Sequence, residues 1–219
     1  MQKTLPYQRV CDDYIFKVDD NKYSKTYIFE DINYQIARQE EQESIFLGYC
    51  SVLNSFDTNA DIQLTIHNNR VNKADFERMV LIGHKGDGFD HYRDAYNEML
   101  IEKMEQGQNG IIRNKYITVT LQAADLENAQ TKFNTIDLEL LNAFKKIGSA
   151  IKPLTSNERV VLLKDIFRNV DEEIPELTDK HFKRQAERAY CCPDYLEFKK
   201  DYFMWGDKYA RTMFVKDRK

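Results

Sequence analysis

The spacing of apolar and polar positions changes several times along the chain, and each change marks an element. From Tyr23 to Ile32 the residues are rich in aromatic and β-branched side chains and free of Gly and Pro, which is strand chemistry. From Gln35 the period lengthens. Ile45, Phe46, Tyr49, Val52, Leu53 and Phe56 recur every three or four residues behind Glu40, Glu41 and Glu43, and acidic residues suit a helix N-terminus. After a turn at Asp57–Ala60, Ile62, Leu64 and Ile66 alternate with Gln63, Thr65 and His67. This β-α-β unit predicts a sheet with one helix-covered face and one wet face. Ahead of it, Tyr14–Val18 forms a short strand, and Asp19-Asp20-Asn21 turns it into a hairpin with the Tyr23 strand.

A second unit follows a helical stretch. Asn72 caps a short helix, Lys73–Val80, and the glycine-rich loop GHKGDG leads to a longer helix. That helix carries Phe89, Tyr92, Tyr96, Met99 and Leu100 and is ended by Gly107-Gln108-Asn109-Gly110. The strand pattern then returns as Ile117, Val119 and Leu121 alternating with threonines. Asp125 caps a helix with Leu126, Phe133, Ile136, Leu140, Phe144 and Ile147 on one stripe, and Ser149–Leu154 closes the unit as a strand. Two β-α-β units predict an α+β, ferredoxin-like sandwich with a helical insertion and with β-hairpins near both ends. Phe133 and Ile66 are expected in its core. Thr155 and Glu158 have capping-box spacing ahead of Val160, Leu163, Ile166 and Phe167, whereas Asn169–Asp179 reads as a linker. Phe198–Trp205 and Lys208–Val215 read as two strands joined at Gly206-Asp207.

Composition narrows the function classes. A chain of 219 residues can bury a core without disulfides. Its four cysteines, two of them adjacent at Cys191-Cys192, follow no zinc or redox spacing and read as reduced thiols of a cytoplasmic protein. No signal-peptide pattern opens the sequence, and no run is long enough to span a membrane. The net charge of −4, from 32 basic and 36 acidic residues, gives no global footprint for nucleic acid.

Several clusters invite sharper chemistry. His84, Asp87, Asp90 and His91 could hold a divalent cation, but their spacing matches no ligand motif and a solvated loop explains them. Glu40, Glu41 and Glu43 read as a solvated helical turn rather than an acid–base set. Lys180, Lys183, Arg184 and Arg188 fall on one side of an expected helix and could meet phosphate or anionic lipid; a surface helix at a domain contact is the alternative. The thirteen tyrosines mostly lack the basic neighbours of a single-strand binding platform.

Three stretches carry a family resemblance. YSKTYIFEDINYQIA at Tyr23–Ala37, NKYITVTLQAADLENAQ at Asn114–Gln130 and FKKDYFMWGDKYARTMFVKD at Phe198–Asp217 resemble, in that order, the N-terminal region of conjugation ATPases of the CagE/TrbE/VirB family. The similarity is greatest to the branch in integrative conjugative elements of Gram-positive bacteria, and the stretches around GHKGDG and Cys191-Cys192 match least. The pattern divides the chain into an α/β domain over residues 1–169 with its insertion at 72–108, a linker and short helix over 170–197, and a hairpin over 198–219, and the resemblance implies that this hairpin leads to a C-terminal ATPase domain. It implies a type IV secretion motor at the inner face of the cell membrane, whose ATP and Mg would belong to that further domain.

No phosphate loop is readable here. Backbone N–H groups and a lysine hold phosphates in a GxxxxGKS or GxxxxGKT turn, and no such turn is present. This chain is therefore expected to be an assembly module rather than an enzyme, without catalytic, cofactor or metal residues. Its partners would be other channel subunits, its own ATPase domain and other copies of itself. Phe203, Trp205 and Tyr209 on the terminal hairpin, with Lys180, Lys183, Arg184 and Arg188, are the candidate interaction residues. The alternatives are a nucleic-acid-binding domain of a mobile element and a nucleotide-binding enzyme domain.

Overall fold

The computed structural model describes residues 5–32, 34, 37–54, 56, 60–70, 80–105, 111–168, 174–206 and 208–213. It is an α+β structure with two sheets and, among the described residues, six helices. The larger sheet contains β1 (Arg9–Val10), β2 (Phe16–Asp19), β3 (Lys22–Phe29), β4 (Ala60–Arg70), β5 (Ile111–Gln122) and β6 (Ile151–Pro153). Its order is β1-β2-β3-β5-β4, with β6 paired to β3 as well. The chain divides into two compact units, Met1–Gln63 with Ile117–Lys219, and Leu64–Tyr116. The dividing points fall inside β4 and β5.

In the first unit, the hairpin read from Asp19-Asp20-Asn21 forms, with Asp19 opposite Lys22 and Phe16 opposite Ser24. The Asp19 carboxylate accepts the Asp20 N–H, which helps fix the turn. Further along β3, Tyr27 faces Pro153 and Phe29 faces Ile151, so β2 and β6 share the length of this strand. Two helices cover one side of the sheet: α1 (Gln39–Asn54) and α3 (Leu126–Lys146). The main core gathers Tyr23 and Tyr27 from β3, Ile117, Val119 and Leu121 from β5, Val52 from α1, and Phe133, Leu140 and Phe144 from α3.

Local chemistry sets the helix ends. Asp125 has extended backbone and its carboxylate accepts the Asn128 N–H, so it caps α3 as expected. Thr155 and Glu158 close a complete capping box on α4 (Ser156–Phe167). Helix α1 starts later than its pattern suggested, at Gln39, where the Glu41 carboxylate accepts the Arg38 N–H. Its stripe is also narrower than the sequence reading. Val52 is buried, with Ile45, Tyr49 and Phe56 half-buried, but Phe46 and Leu53 are exposed. Ile45, Tyr49 and Val52 form one line along the helix; Phe46 and Leu53 lie about 100° around it, past the edge of the contact.

The expectation of one wet sheet face is corrected at β2 and β3. A second core joins Phe16 of β2 to Leu5, Tyr7, Val160, Leu163, Leu177, Cys191 and Cys192. Ser24, which points away from the first core, meets Arg159 of α4: Nη1 donates to the Ser24 carbonyl at 2.9 Å and Nη2 to its Oγ at 2.8 Å. The same guanidinium lies 4.1 Å from the Phe16 ring centroid. A buried arginine thus satisfies Ser24, a small polar position that resembled part of a solvated face.

Gly48 of α1 marks a close approach. A Cβ there would collide with Ile147 Cγ2 at the C-cap of α3, so the helices meet where α1 has no side chain. Gly48→Val is expected to destabilise by about 1–3 kcal/mol through overpacking, despite a helix-propensity gain of a few tenths of a kcal/mol over glycine. Thermal unfolding checks this, and an unchanged or raised midpoint would show that the contact yields without cost.

The second unit contains the outer parts of β4 and β5 and helix α2 (Asp90–Glu105). Arg113 Nε donates to the Asn68 side chain between the two strand arms. Ile66 was expected in the core but is 56% exposed, and Leu64 is also exposed. Phe89, just ahead of α2, and Tyr92, Tyr96 and Met99 on it are exposed, so their helical spacing describes an apolar stripe that is not buried. The short helix expected at Lys73–Val80 and the glycine stop at Gly107–Gly110 lie outside the described residues, Val80 excepted.

Candidate interaction surfaces

The terminal aromatic region differs from the expected two-stranded hairpin. The run Phe198–Trp205 divides, giving a three-stranded sheet of β7 (Leu196–Phe198), β8 (Phe203–Trp205) and β9 (Lys208–Ala210). The cause is local: Lys199-Lys200-Asp201 turns the chain, and the Lys199 N–H donates to the Tyr202 carbonyl at 2.9 Å. Phe198 then faces Phe203, and Trp205 faces both Leu196 and Lys208. Gly206 has φ +56, a conformation that favours glycine, and its N–H donates to the Tyr195 carbonyl. Asp207 and Phe214–Val215 lie outside the described residues.

Register sorts the aromatic residues onto two faces. Leu196, Phe198, Phe203, Trp205, Lys208 and Ala210 share one, while Glu197, Met204 and Tyr209 share the other. The first face is tied down because Trp205 Nε1 donates to the Phe167 carbonyl at the end of α4. Trp205 and Phe203 are half-buried, and their rings lie 5.9 Å apart. On the second face Tyr209 is 75% exposed and stands edge-on to Tyr202 at 5.4 Å. The strand pairing therefore distinguishes roles that sequence alone grouped together: Trp205 holds the sheet, and Tyr209 faces outward. Phe198, 76% exposed at the free end of the first face, was missed as a surface residue because the turn at Lys199 was read as strand.

The basic stripe is broken as well. Helix α5 (Asp179–Lys183) ends at Arg184, Gln185 has φ +55, and α6 (Glu187–Cys191) begins after Ala186. Thr178 and His181 bond reciprocally at the start of α5, with the Thr178 N–H donating to His181 Nδ1 at 3.1 Å. Lys180, Lys183 and Arg184 are exposed. Arg188 is half-buried: its Nη2 donates to the Tyr7 carbonyl at 2.5 Å and the Gln8 carbonyl at 3.0 Å, and its guanidinium lies over the Tyr7 ring. The four cations thus belong to two helices, and Arg188 serves the fold rather than an external phosphate. Between β1, the start of α4 and residues 174–185 lies a cleft of about 860 Å³, whose wall includes Arg9 and Lys183 together with Asp12, Asp13, Glu176 and Asp179. These opposed charges give it no single-sign field for a polyanion.

In the other unit, the GHKGDG loop is fixed by its own partners. Gly86 and Gly88 have φ +68 and +80. The Lys85 and Gly86 N–H groups both donate to the Asp90 carboxylate at 3.0 Å, so a carboxylate already occupies the backbone donors that a phosphate would use. Arg93 bridges Asp87 and Asp90, His84 pairs with Asp94 at 2.6 Å, and the His91 ring lies against Tyr92. The Arg93 hydrogen bond holds the Asp87 carboxyl below its ordinary range, while the Asp94 contact raises His84. The four residues considered for a cation are therefore engaged elsewhere, Asp87 and Asp90 by the shared Arg93, and among the described residues no three metal-ligating side chains converge.

All four cysteines are free thiols. Burial pushes Cys191 up to about 12, which keeps it as the unreactive thiol at neutral pH. Among the described residues, no helix is long and apolar enough to cross a membrane. Comparison with protein-family models and with curated protein sequences finds no match to this chain.

Proposed function

We propose that the chain is the N-terminal assembly domain of a conjugative type IV secretion ATPase, and that it docks the motor onto channel subunits at the inner face of the cell membrane. Three sequence stretches support this family, and they fall on β3, on β5 with the start of α3, and on the terminal sheet. The strand order β6-β3-β5-β4, with α1 and α3 as the connecting helices, supports a ferredoxin-like reading of the architecture. ATP and Mg would be bound by a further domain. The observation that carries the interaction role is the outward face of the terminal sheet, where Tyr209 is exposed opposite the side that Trp205 fastens to α4. Exposed aromatic groups on a firmly held support make efficient contact residues because little ordering is needed on binding.

The test is paired. Changing Tyr202 and Tyr209 together to Ser should reduce co-purification of the full-length ATPase with its channel subunits by about tenfold or more. The unfolding midpoint of this chain should stay within about 0.5 kcal/mol of the parent, as for other surface changes. Normal assembly by the double variant would overturn the docking role. ATP turnover by the purified 219-residue chain would favour the enzyme reading instead.

A further inference from the structure

Glu187 has the least accommodating environment of any described acidic side chain. It is 0% exposed, and neither carboxyl oxygen has a hydrogen-bond partner among the described residues. It belongs to α6, which packs against α4 and carries Cys191 into the second core with Tyr7, Val160, Leu163 and Leu177. The Tyr7 hydroxyl is likewise enclosed and without a hydrogen-bond partner. An ionised carboxylate without hydrogen bonds is far costlier to bury than the neutral acid.

The nearby cations are otherwise engaged. Tyr7 comes from the N-terminal segment. On α6 itself, Arg188 turns to the Tyr7 and Gln8 carbonyls, and the Cys191 thiol contacts the Val160 carbonyl. On α4, Arg159 is engaged by Ser24, Lys164 lies beside Asp165, and Arg168 reaches the Ala189 carbonyl and Asp194. Burial raises the Glu187 acid above its ordinary range, with its own backbone N–H first, then Arg188 and Tyr7, opposing this only in part.

The position of Arg188 gives this acid a structural consequence. β1 is the outermost strand on its side of the larger sheet. Arg188 covers carbonyls of Tyr7 and Gln8 where the chain enters that strand. Open strand edges recruit extended segments, and an arginine across such an edge blocks them. We propose that Glu187 is a proton-controlled latch: as the neutral acid it keeps α6, and with it Arg188, on the β1 edge, and its ionisation uncovers that edge. Helix α5 also packs against β1, so the part uncovered is the Tyr7 and Gln8 carbonyls, whether α6 lifts away or Arg188 swings to pair with the new carboxylate.

The direction with pH follows from proton binding. The docked state has the higher Glu187 pKa and so binds the proton more tightly than the undocked state. Docking is therefore strongest below the ordinary glutamate value of 4.5 and weakens as pH rises through the elevated value.

Amide hydrogen exchange on the full 219-residue chain tests the latch. Between about pH 5 and about pH 8, after correction for intrinsic rates, protection at residues 5–10 and 187–192 should fall about tenfold or more relative to residues 117–121. Glu187→Gln, which stays neutral and keeps the shape, should retain its low-pH protection throughout. An equal fall in both proteins, or no fall in the parent, overturns the proposal. Should the variant not fold, the carboxyl carbon shift of Glu187 in the unaltered chain decides: an ordinary titration midpoint overturns the latch, and an elevated one, with protection lost over the same range, upholds it.

Discussion

Replacing Phe133 by alanine should cost about 3–5 kcal/mol of unfolding free energy, as emptying a buried aromatic site does. Ile66→Ala should stay within about 0.5 kcal/mol of the parent, as surface changes do. Both residues sit on apolar stripes of similar clarity, so the difference must come from what the stripes face. Phe133 is 0% exposed on α3 and joins a core shared by β3, β5 and α1; removing its ring leaves a void among packed neighbours. Ile66 is 56% exposed on the outer part of β4, and truncation there removes little buried surface. Urea unfolding of the two variants beside the parent measures this directly. A small effect at Phe133, or a loss above about 2 kcal/mol at Ile66, would place the core wrongly.

Elements whose determinants lie close in sequence were legible. The Asp125 cap, the Thr155–Glu158 capping box and the Asp20-Asn21 turn each use partners a few residues apart, and each forms where its signal stands. Determinants that lie far apart were not. Ser24 looks like a solvent-facing position until Arg159, 135 residues away, donates to its carbonyl and hydroxyl. Phe46 and Phe133 carry equal apolar weight, yet only the packing of α1 against α3 decides which is covered.

The candidate surface follows the same rule. Aromatic richness near Phe198–Tyr209 was visible as composition. The division between Trp205 as fastening and Tyr209 as exposed surface needed strand register, a turn at Lys199 and a carbonyl at the end of α4. Arg188 is the clearest case of a cation misassigned by spacing. Positive φ at Gln185 breaks the helix, and the side chain beyond it turns inward to the Tyr7 and Gln8 carbonyls. Glu187, next to it, gave no signal in the sequence, because one acidic residue in a charged stretch has the pattern of a solvated one.

The polar group inside the main core should be as sensitive to loss as its apolar neighbours. Lys25 and Tyr27 project from β3 toward α3 and share the Asp137 carboxylate, with Nζ to Oδ2 at 2.7 Å and the Tyr27 hydroxyl to Oδ1 at 2.7 Å. The Lys25 side chain is 5% exposed and that of Asp137 is 28% exposed, so the acid keeps some contact with water while the base has almost none. Burial, with the Asp137 contact adding to it, raises the Tyr27 hydroxyl far above its ordinary range and keeps it a neutral donor. Asp137→Ala leaves an ammonium and a hydroxyl facing an apolar core, and a destabilisation of about 2–4 kcal/mol is expected, below the full penalty because Asp137 is partly wet. Lys25→Met should cost less, since the stranded acid can turn toward solvent while still accepting from Tyr27. Combining Lys25→Met with Asp137→Leu removes both charges and should recover at least about 1 kcal/mol against the sum of the single changes, the mark of direct coupling. Denaturant unfolding of the parent, the Lys25→Met and Asp137→Leu single variants and the double variant closes the cycle, with Asp137→Ala as a separate check. Strict additivity would mean that Lys25 and Asp137 hold the strand and helix together independently, and that the ion pair contributes nothing beyond its two hydrogen-bonding halves.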